Sequence, residues 1–529
     1  MADGVVDAVV EVFRSELELP ECGPDESFFQ LGGDSLLATR VLDRLNKRFA
    51  VRVPFAEMYS DSTPKALAGV IERLGAAPPP PPRRSIAALA RRRRGARFPL
   101  AMSQQAIHAM DVATGGAGLF NNVGVLRFTG DVDPHRITAA VADTVRRHSA
   151  LRLVFGDEHG TPVQSCTDDV PEVEVGDLRG SSAETRLDRQ VRRERLLGFD
   201  LRSAPPVRFA LARLADDTWA LVATFHHIVF DGMSQSLFVD DLAHAYACRL
   251  GSGTPRPPLR WDYLDFAEWQ RDTLRGERLA AHLDALHRTL AGPPAPRLST
   301  PDTGEEPASF RCRIRSYEMD YDVSARLRAL AASCDTTLFV ALVAAVLDFA
   351  ARRSGAPRPR VAVQAANRGV EGAERAIGCF ANSVHVAVDG TGPADPAERV
   401  RAAKAAVGEA LLHQELPIEM ALRMLADRGV AVPEPQLGFA LQPHSRIVHK
   451  LPGAVLDADF PGQRGDAVDP TSFALVLELF DEGGQLRGAT HHRLAEWSVA
   501  DADSSITALS TAFARFAAAA PARAIESPQ

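Results

Sequence analysis

The stretch HHIVFDGMS at residues 226–234 places two imidazoles, a carboxylate and a glycine close together in the chain. Imidazole takes up and releases protons near neutral pH, so His226 or His227 could act as a general acid or base. The preceding residues WALVATF predict a strand, in which adjacent side chains point to opposite faces. We therefore predict that one histidine is buried while the other meets a substrate, and that Asp231 and Gly232 form the turn into a helix.

A second candidate for chemistry is the hydroxyl of Ser35, in the stretch LGGDSLLATR at residues 31–40. Gly32 and Gly33 permit a tight turn, and apolar residues at helical spacing follow the serine. The start of a helix offers unpaired N–H groups and the positive end of the helix dipole, which favour a phosphate. A serine that caps the helix and a serine that carries a phosphodiester both fit this position.

One break in composition divides the chain. Five prolines, Pro78–Pro82, are followed by seven arginines between Arg83 and Arg97. Consecutive prolines favour an extended polyproline helix, and the arginines repel one another, so residues 76–97 are predicted to be a semi-rigid, solvated linker. We expect a small unit, 1–75, to move on this linker and to make only small contacts with the larger remainder, 98–529.

The elements that position these residues differ between the two units. Three amphipathic segments predict a small all-α bundle in the first unit: VVDAVVEVFRSEL, SLLATRVLDRLNKRF and TPKALAGVIERL. The larger unit mixes apolar strand-like runs with helical periods, and its two halves show a similar order of elements. We therefore predict an α/β domain of two lobes, with strands at 123–130 and 219–227 and helices at 134–151 and 234–250.

Composition excludes several classes of protein. The formal net charge of −8 argues against a general nucleic-acid-binding protein. The sequence has no run of 18 apolar residues and no basic N-terminal signal, so we expect neither a membrane span nor secretion. Six cysteines are scattered without C-x-x-C spacing, which predicts reduced thiols in a cytoplasmic protein and no metal site.

The segment DESFFQLGGDSLLATRVLDRLNKRF resembles the core of the peptidyl carrier domains of nonribosomal peptide synthetases. The resemblance covers about residues 5–75 and implies an acyl-carrier-like bundle. It implies that a phosphopantetheinyl transferase attaches 4′-phosphopantetheine to Ser35. The thiol of this arm would then carry an amino acid or peptide as a thioester.

The larger unit resembles a condensation domain of the same synthetases. The resemblance is carried by six motifs in family order: FPLAMSQQAIHAM, RRHSALRLVF, HHIVFDG, YLDFAEWQ, IGCFANS and HQELPIE. It implies two lobes, each like chloramphenicol acetyltransferase, that meet at a tunnel; we expect these lobes at 98–270 and 271–529. Condensation domains join a donor acyl thioester to the amine of an acceptor thioester, so the resemblance implies peptide-bond formation.

The resemblance also implies roles for the residues of the motif HHIVFDG. His227 occupies the catalytic position and His226 the structural one. Gly232 would leave room, and a backbone N–H, near the reacting carbonyl. His227 could be a general base, could position the amine or could stabilise the oxyanion, and the sequence leaves all three open.

Three further residues take supporting roles by the same resemblance. Asp231 is expected to hold the local architecture through an arginine, for which Arg368 is the first candidate and Arg152 the second. Asn382 lies in the motif that lines the tunnel from the second lobe.

The order of the two domains implies partners. The carrier would deliver the donor, while an adenylation domain and a downstream carrier for the acceptor must come from the same assembly line, because the chain has no adenylation motif. A condensation domain directly after a carrier favours the class that takes L-configured donors. Two alternatives stay open: a degenerate domain that only recruits partners, and an acyltransferase that makes esters or acts on a free amine.

Overall fold

The structure, a computed structural model, describes residues 2–33, 35–51, 53–54, 56–76, 86, 96–292, 296–299, 311–390, 395–430, 436–442, 446–460, 465–468 and 473–521. The predicted linker at 76–97 falls mostly outside these residues. Its semi-rigid form therefore stays a prediction.

The N-terminal unit is a small helical bundle, as its apolar spacing predicts. Its helices are α1 (Ala2–Leu17), α2 (Ser35–Phe49), α3 (Ala56–Ser60) and α4 (Pro64–Ala76). Phe13 and Phe28 are fully buried at its centre and meet edge to face, with ring centroids 5.0 Å apart. The short helix α3 was not predicted, because five residues are too few to show a helical repeat.

Residues 98–273 form the main part of the first lobe. Its elements are β1 (Phe98–Pro99), α5 (Met102–Ala113), β2 (Asn121–Gly130), α6 (Pro134–Arg147), β3 (Leu153–Glu158), β4 (Thr161–Cys166), β5 (Val173–Asp177), α7 (Ala183–Leu196), β6 (Val207–Ala215), β7 (Thr218–His226), α8 (Gly232–Arg249) and α9 (Tyr263–Thr273). Strands β2, β7, β6 and β5 lie side by side in that order, and β1, β4 and β3 form a separate small sheet. Antiparallel pairing of β2 with β7 sets Asn121 opposite His226. The central sheet therefore ends where the two histidines begin.

The second lobe is built on a larger mixed sheet. The elements of the C-terminal half of the chain are α10 (Gly276–Leu290), β8 (Arg311–Glu318), α11 (Tyr321–Ser333), α12 (Leu338–Ser354), β9 (Arg360–Ala365), β10 (Asn382–Ala387), α13 (Pro396–Leu412), α14 (Ile418–Asp427), β11 (Leu437–Gln442), β12 (Arg446–Leu451), β13 (Ala454–Asp459), β14 (Gly465–Val468), β15 (Leu475–Glu482), β16 (Gln485–Arg493) and α15 (Val499–Ala518). The strand order in this sheet is β10-β9-β11-β15-β16-β8-β14. Helix α12 runs through the lobe with eleven consecutive buried residues, 340–350.

The hairpin β12–β13 does not join the sheet of its own half. Strand β13 pairs antiparallel with β2, so the hairpin extends the first-lobe sheet to the order β12-β13-β2-β7-β6-β5. The predicted division at residue 270 is corrected in this respect, since the first lobe takes residues 446–459 from the C-terminal half. A pattern of alternating side chains predicts a strand but does not say which long-range partner it pairs with.

The helical unit lies against the second lobe. Helix α3 packs on α13, and buried apolar residues of both units belong to one continuous cluster. The two units are therefore in direct contact in this arrangement, and the expected freedom of the first unit to move stays a prediction. The linker composition predicted freedom of movement, but it carries no information about complementary surfaces.

Among the described helices, none is by itself long and apolar enough to cross a membrane, whereas α11 and α12, bent by 105° at their junction, meet that requirement as a pair. All six cysteines lie in the described residues, and each is a thiol rather than half of a disulfide.

Five buried histidines make stability depend on pH. Burial lowers the pKa of His148 and His226, and it lowers the pKa of His282 and His492 to about 4 and that of His385 to about 3. These pKa values of the folded state lie below the unfolded pKa of about 6.5. At pH values between the folded and the unfolded pKa, the unfolded chain therefore binds more protons than the folded chain does. We expect the free energy of unfolding to be highest above pH 6.5 and to fall as pH drops towards 4, as shown by urea midpoints measured across that range.

Two substitutions separate this cause from a general effect of acid. His385→Gln removes a buried titrating group and should flatten the dependence, whereas His135→Gln, on an exposed helix position, should not. Equal slopes for both variants and the unmodified protein between pH 6.5 and 4 would contradict the assignment.

Candidate active site

The two adjacent histidines differ because the strand ends between them. Strand β7 stops at His226, and a single 3-10 turn from His227 to Val229 follows before α8 begins at Gly232. The Gln104 side chain donates to the carbonyl of Ile228 at 3.1 Å and holds this turn against α5. The turn, rather than strand alternation, thus sends the two imidazoles in different directions.

His226 is a packed and fully bonded side chain. It is 1% exposed and lies between the rings of Phe120 and Phe199. Its Nδ1 accepts the N–H of Ile228 at 3.2 Å, so the proton of the neutral ring is on Nε2, which donates to Asp111 Oδ1 at 3.2 Å. Burial, the largest influence, lowers the pKa of His226 and keeps the ring neutral.

His227 is half-buried and has one nitrogen with a defined proton. Its Nδ1 lies 2.8 Å from the carbonyl oxygen of Phe230, which can only accept, so Nδ1 carries the hydrogen. Its backbone N–H donates to the carbonyl of Phe120 at 2.8 Å. In the neutral ring, Nε2 therefore holds a lone pair and can accept a proton or a hydrogen bond.

The carboxylate of Asp231 is fully buried and accepts five hydrogen bonds. Oδ1 accepts from the backbone and hydroxyl of Ser234, at 2.9 and 2.7 Å, and from Arg368 Nη2 at 2.7 Å. Oδ2 accepts the backbone N–H groups of Phe380 and Ala381, at 3.1 and 3.2 Å. Asp231 thus caps α8 and ties the turn after the histidines to the second half of the chain.

Arg368, the first candidate for the partner of Asp231, lies after β9 in the second half of the chain and contacts Asp231 in the first lobe. Its side chain is 5% exposed and lies over the ring of Phe380, with 4.4 Å between guanidinium and centroid. It also donates to the carbonyls of Ala373 and Ala376. The guanidinium therefore fixes the loop that supplies the two N–H groups to Asp231.

Arg152, the second candidate, lies elsewhere, and that assignment is corrected. Its guanidinium donates to the carbonyl of Thr167 at 2.7 Å and to that of Arg146 at 3.4 Å. Arg152 thus joins the end of α6 to the residues after β4. The order in which the sequence analysis placed the two arginines therefore agrees with the structure, in which Arg368 and not Arg152 contacts Asp231.

Asn382 serves as a clamp on the backbone of a neighbouring segment. Its Nδ2 donates to the carbonyls of Gln414 and Leu416, at 2.7 and 2.9 Å, and its Oδ1 accepts the N–H of Ile418 at 3.2 Å. These bonds hold the HQELPIE segment against β10. The amide of Asn382 is therefore used within the second lobe, and the expectation that its motif lines a tunnel stays a prediction.

Gly232, the first residue of α8, faces the second lobe. A Cβ built there would lie 3.4 Å from Oε1 of Gln442, the last residue of β11. The Gln442 side chain in turn donates to Glu478 at 3.4 Å. Sequence reasoning missed Gln442; its only signal is that it is a polar residue at the end of an apolar strand-like run, LGFALQ.

Three of the six sequence motifs pack together beside the turn that holds the two histidines. Ser103 and Tyr263 each donate a hydroxyl to the carbonyl of Cys379 at 2.7 Å. Gln270 accepts the N–H of Met102 at 2.8 Å. The motifs FPLAMSQQ, YLDFAEWQ and IGCFANS therefore supply the buried polar support of the histidine turn.

The fifteen-residue helix α2 begins at Ser35, after two positions that require glycine. Gly32 has a φ of 94°, which favours glycine, and a Cβ at Gly33 would lie 2.2 Å from the ring of Phe28. At Gly32 and Gly33, two residues before the serine, the chain therefore turns over a buried aromatic ring. A serine that stands at a helix N-terminus after such a glycine turn fits the attachment of a phosphodiester.

Breaking the Asp231–Arg368 pair should unfold the site. We expect Arg368→Met to lower the free energy of unfolding by about 3–5 kcal/mol, because a buried carboxylate loses its cation. Arg152→Met provides a matched control, since it removes a guanidinium that does not contact Asp231. Denaturant unfolding of the three proteins measures the difference, and equal losses for both variants would show that Arg368 has no special part.

Comparisons with known proteins agree with these two units. The model of the family Phosphopantetheine attachment site matches residues 7–71, and that of the Condensation domain matches residues 96–442. Among curated proteins, one of the linear gramicidin synthase proteins of Brevibacillus parabrevis is 28% identical over 530 residues, which cover 96% of this chain and 7% of that protein. Another linear gramicidin synthase protein from the same organism is 30% identical over 421 residues, which cover 78% of this chain and 8% of that protein. The chain thus spans less than a tenth of the length of these relatives.

Solved structures show a similar fold. The X-domain from teicoplanin biosynthesis superposes with a TM-score of 0.68 at 24% identity and covers 82% of this chain and 97% of that one. The first condensation domain of the calcium-dependent antibiotic synthetase superposes with a TM-score of 0.67 at 19% identity and covers 81% and 98%. These identities are low, so the likenesses establish the fold alone.

Proposed function

The chain belongs to the condensation-domain family of nonribosomal peptide synthetases, with a phosphopantetheine attachment domain ahead of it, and from this premise we propose that it forms peptide bonds at His227. Condensation domains of these synthetases are acyl-transferring catalytic domains. The observation that supports a working site here is the Nε2 lone pair of His227, at a turn that Asp231 and Arg368 hold in place.

The proposed reaction requires few chemical steps from the chain's own residues. A carbon–nitrogen bond forms between the acceptor amine and the donor carbonyl, the donor carbon–sulfur bond breaks, and the leaving thiolate takes up the proton that the amine loses. Alignment of amine and carbonyl between the lobes can supply about 7–11 kcal/mol of the barrier. Nε2 of His227 accepts from the amine N–H and takes the proton, which adds about 10²–10⁴-fold.

This assignment uses the tautomer that we infer from the contact of Nδ1 with the Phe230 carbonyl. With Nδ1–H committed to the Phe230 carbonyl, the neutral ring has no second hydrogen to donate to an oxyanion. We therefore favour the general-base and amine-positioning roles of His227 over hydrogen-bond donation to the oxyanion. The backbone N–H of Gly232, at the start of α8, stays our candidate for that donation.

Ser35 is the residue that would hold the phosphopantetheine arm. When attached, the arm supplies a thiol that carries the acyl group. The glycine turn at Gly32 and Gly33 leaves Ser35 at the start of α2, where free N–H groups favour the phosphodiester. A phosphopantetheinyl transferase is the partner that would attach the arm.

The remaining partners follow from domain order. We propose that the attached carrier presents the donor, of L configuration, and that an adenylation domain and a downstream carrier of the same assembly line supply the activated amino acids. The six thiols agree with a reducing compartment, the cytoplasm.

A recruiting role is the second candidate. It is favoured by the likeness to the X-domain of teicoplanin biosynthesis, which has been solved in complex with OxyB. A domain that only recruits has no need of a histidine with a defined tautomer over a buried ion pair, and this favours the catalytic role. An ester-forming or free-amine acyltransferase would use the same residues on a different acceptor.

One reconstitution distinguishes these functions. The full chain is loaded by a phosphopantetheinyl transferase with an aminoacyl-coenzyme A and mixed with a separate aminoacyl carrier, a free amino acid or a hydroxy acid. Intact-protein mass spectrometry then follows the acyl group. Transfer to the aminoacyl carrier supports peptide-bond formation, transfer to a free acceptor supports the other acyltransferases, and no transfer to any acceptor supports recruitment.

A further inference from the structure

A buried arginine at the start of β9 has a charge that no nearby carboxylate balances. Arg360 is 5% exposed, and its Nη2 donates to the carbonyl of Ala291, which follows α10, at 3.0 Å. Within the described part of the chain, its Nε and Nη1 have no hydrogen-bond partner. Burial lowers the pKa of the guanidinium, and so does the one charged neighbour that acts on it, the cation Arg358. The end of a helix thus accounts for one nitrogen of Arg360 and leaves two without a partner.

A histidine with an unpaired nitrogen lies on the same face of the sheet. In the antiparallel pair β9–β10, Arg360 stands opposite Ala387 and His385 opposite Ala362, so Arg360 and His385 are diagonal neighbours. His385 is 4% exposed, and its Nδ1 has no hydrogen-bond partner among the described residues. Burial and the charge of Arg360 lower the pKa of His385 to about 3. The ring is therefore neutral and can carry its hydrogen on Nδ1.

His385 also lines a cavity between α10, β10, α13 and α14. The cavity has a volume of about 40 Å³, whereas one water needs about 10–15 Å³, so a group of about three heavy atoms fits. Ser383 lines it too, and its hydroxyl accepts from Gln364 at 2.9 Å and keeps its own hydrogen to donate. The apolar part of the wall includes Leu286, Val384 and Ile418.

Charge and size both favour a carboxylate as the occupant of this cavity. Arg360 supplies one positive charge, while the neutral imidazole of His385 supplies a hydrogen bond and no charge. Glu409, on the α13 side, lies 3.6 Å from His413 and repels a dianion more strongly than a monoanion. A carboxylate has three heavy atoms and one charge, whereas a phosphate group is larger and carries between one and two charges near neutral pH.

We propose that this cavity binds the carboxylate of a small organic acid, with Arg360 as its counter-ion and with His385 Nδ1 and the Ser383 hydroxyl as hydrogen-bond donors. The apolar part of the wall receives the remainder of the acid. The site lies at β10, the edge strand of the second-lobe sheet. It uses none of the residues assigned to peptide-bond formation, so the inference does not depend on the proposed function.

Saturation-transfer NMR of the full chain, with sodium acetate as the probe, tests this site near neutral pH. Arg360→Met removes the charge and keeps an unbranched apolar side chain, which a buried position tolerates. His385→Phe removes Nδ1 and keeps a ring, and Arg358→Met, which removes an exposed cation nearby, is the matched control. We expect the affinity for acetate to fall about tenfold or more in Arg360→Met and in His385→Phe, and to stay unchanged in Arg358→Met.

Competition identifies the chemistry of the ligand. Formate should displace acetate from the unmodified chain, whereas inorganic phosphate at the same ionic strength should not. Three results overturn the proposal: no transfer to acetate by the unmodified chain, displacement by phosphate as effective as by formate, and an equal loss of affinity in Arg358→Met and Arg360→Met. Thermal unfolding in sodium chloride shows whether the variants fold, and if Arg360→Met does not, His385→Phe decides. Because His227 takes no part, each of these failures leaves the proposed peptide-bond formation untouched.

Discussion

Replacement of His227 by alanine is expected to slow peptide-bond formation by about 10²–10⁴-fold while leaving the fold intact. The ring is half-buried and makes its side-chain hydrogen bond to a carbonyl within its own turn, so its removal disturbs little packing. What is lost is the Nε2 lone pair to which we assign the acceptance of the amine proton. Single-turnover transfer between the loaded chain and a separate aminoacyl carrier, followed by intact-protein mass spectrometry, measures the rate.

The neighbouring histidine provides the control for this prediction. His226→Ala leaves a cavity between Phe120 and Phe199 and an unpaired Asp111, and should lower the free energy of unfolding by about 2–5 kcal/mol. His227→Ala should unfold nearly as the unmodified protein does. A normal rate for His227→Ala at full donor loading would exclude it from the chemistry.

The His227→Gln variant separates two roles of His227. If His227 is a general base, His227→Gln, which can accept a hydrogen bond but cannot take up the proton, should be about as slow as His227→Ala. If the residue only positions the amine, His227→Gln should recover most of the rate.

Replacement of Ser35 by alanine is expected to abolish attachment of phosphopantetheine, and with it all transfer of the donor. Helix α2 still begins after the same glycine turn, and the bundle core, with Phe13 and Phe28, is unchanged. Incubation with coenzyme A and a phosphopantetheinyl transferase should add one arm to the unmodified chain and none to Ser35→Ala.

A second serine of the same unit tests the specificity of this result. Ser15 is exposed on α1, where its hydroxyl accepts from Arg44. Ser15→Ala should gain the arm at the normal rate. A mass gain in Ser35→Ala would place the attachment at another hydroxyl and remove the basis for the donor assignment.

Local patterns predicted local structure well. The helix at SLLATRVLDRLNKRF has the bounds Ser35–Phe49 in the structure, because its apolar stripe and the preceding glycines are both short-range signals. The run WALVATFHH was predicted as a strand through His227, whereas β7 ends one residue earlier. That one residue matters, since the turn, and not the strand, directs the imidazole of His227.

Contacts between distant parts of the chain were predicted less well. Asp231 is separated from Arg368 by 137 positions, and no spacing rule distinguishes Arg368 from Arg152. Asn382 was placed near the tunnel by its motif, but its amide is used by the backbone of residues 414–418. Gln442 and Arg360 were not predicted, because each acquires its surroundings only when separate elements pack together.

The hairpin of residues 446–459 limits how this protein can be recombined with its relatives. A chimera joined near residue 270 would combine a β2 from one parent with a β13 from the other, across the register that pairs Leu126 with Ala458 and Phe128 with Leu456. Mismatched side chains there would expose the edge of β2, which invites aggregation. Exchanges that keep residues 96–521 from a single parent preserve this pairing. In the construction of chimeras, both lobes should therefore be exchanged together.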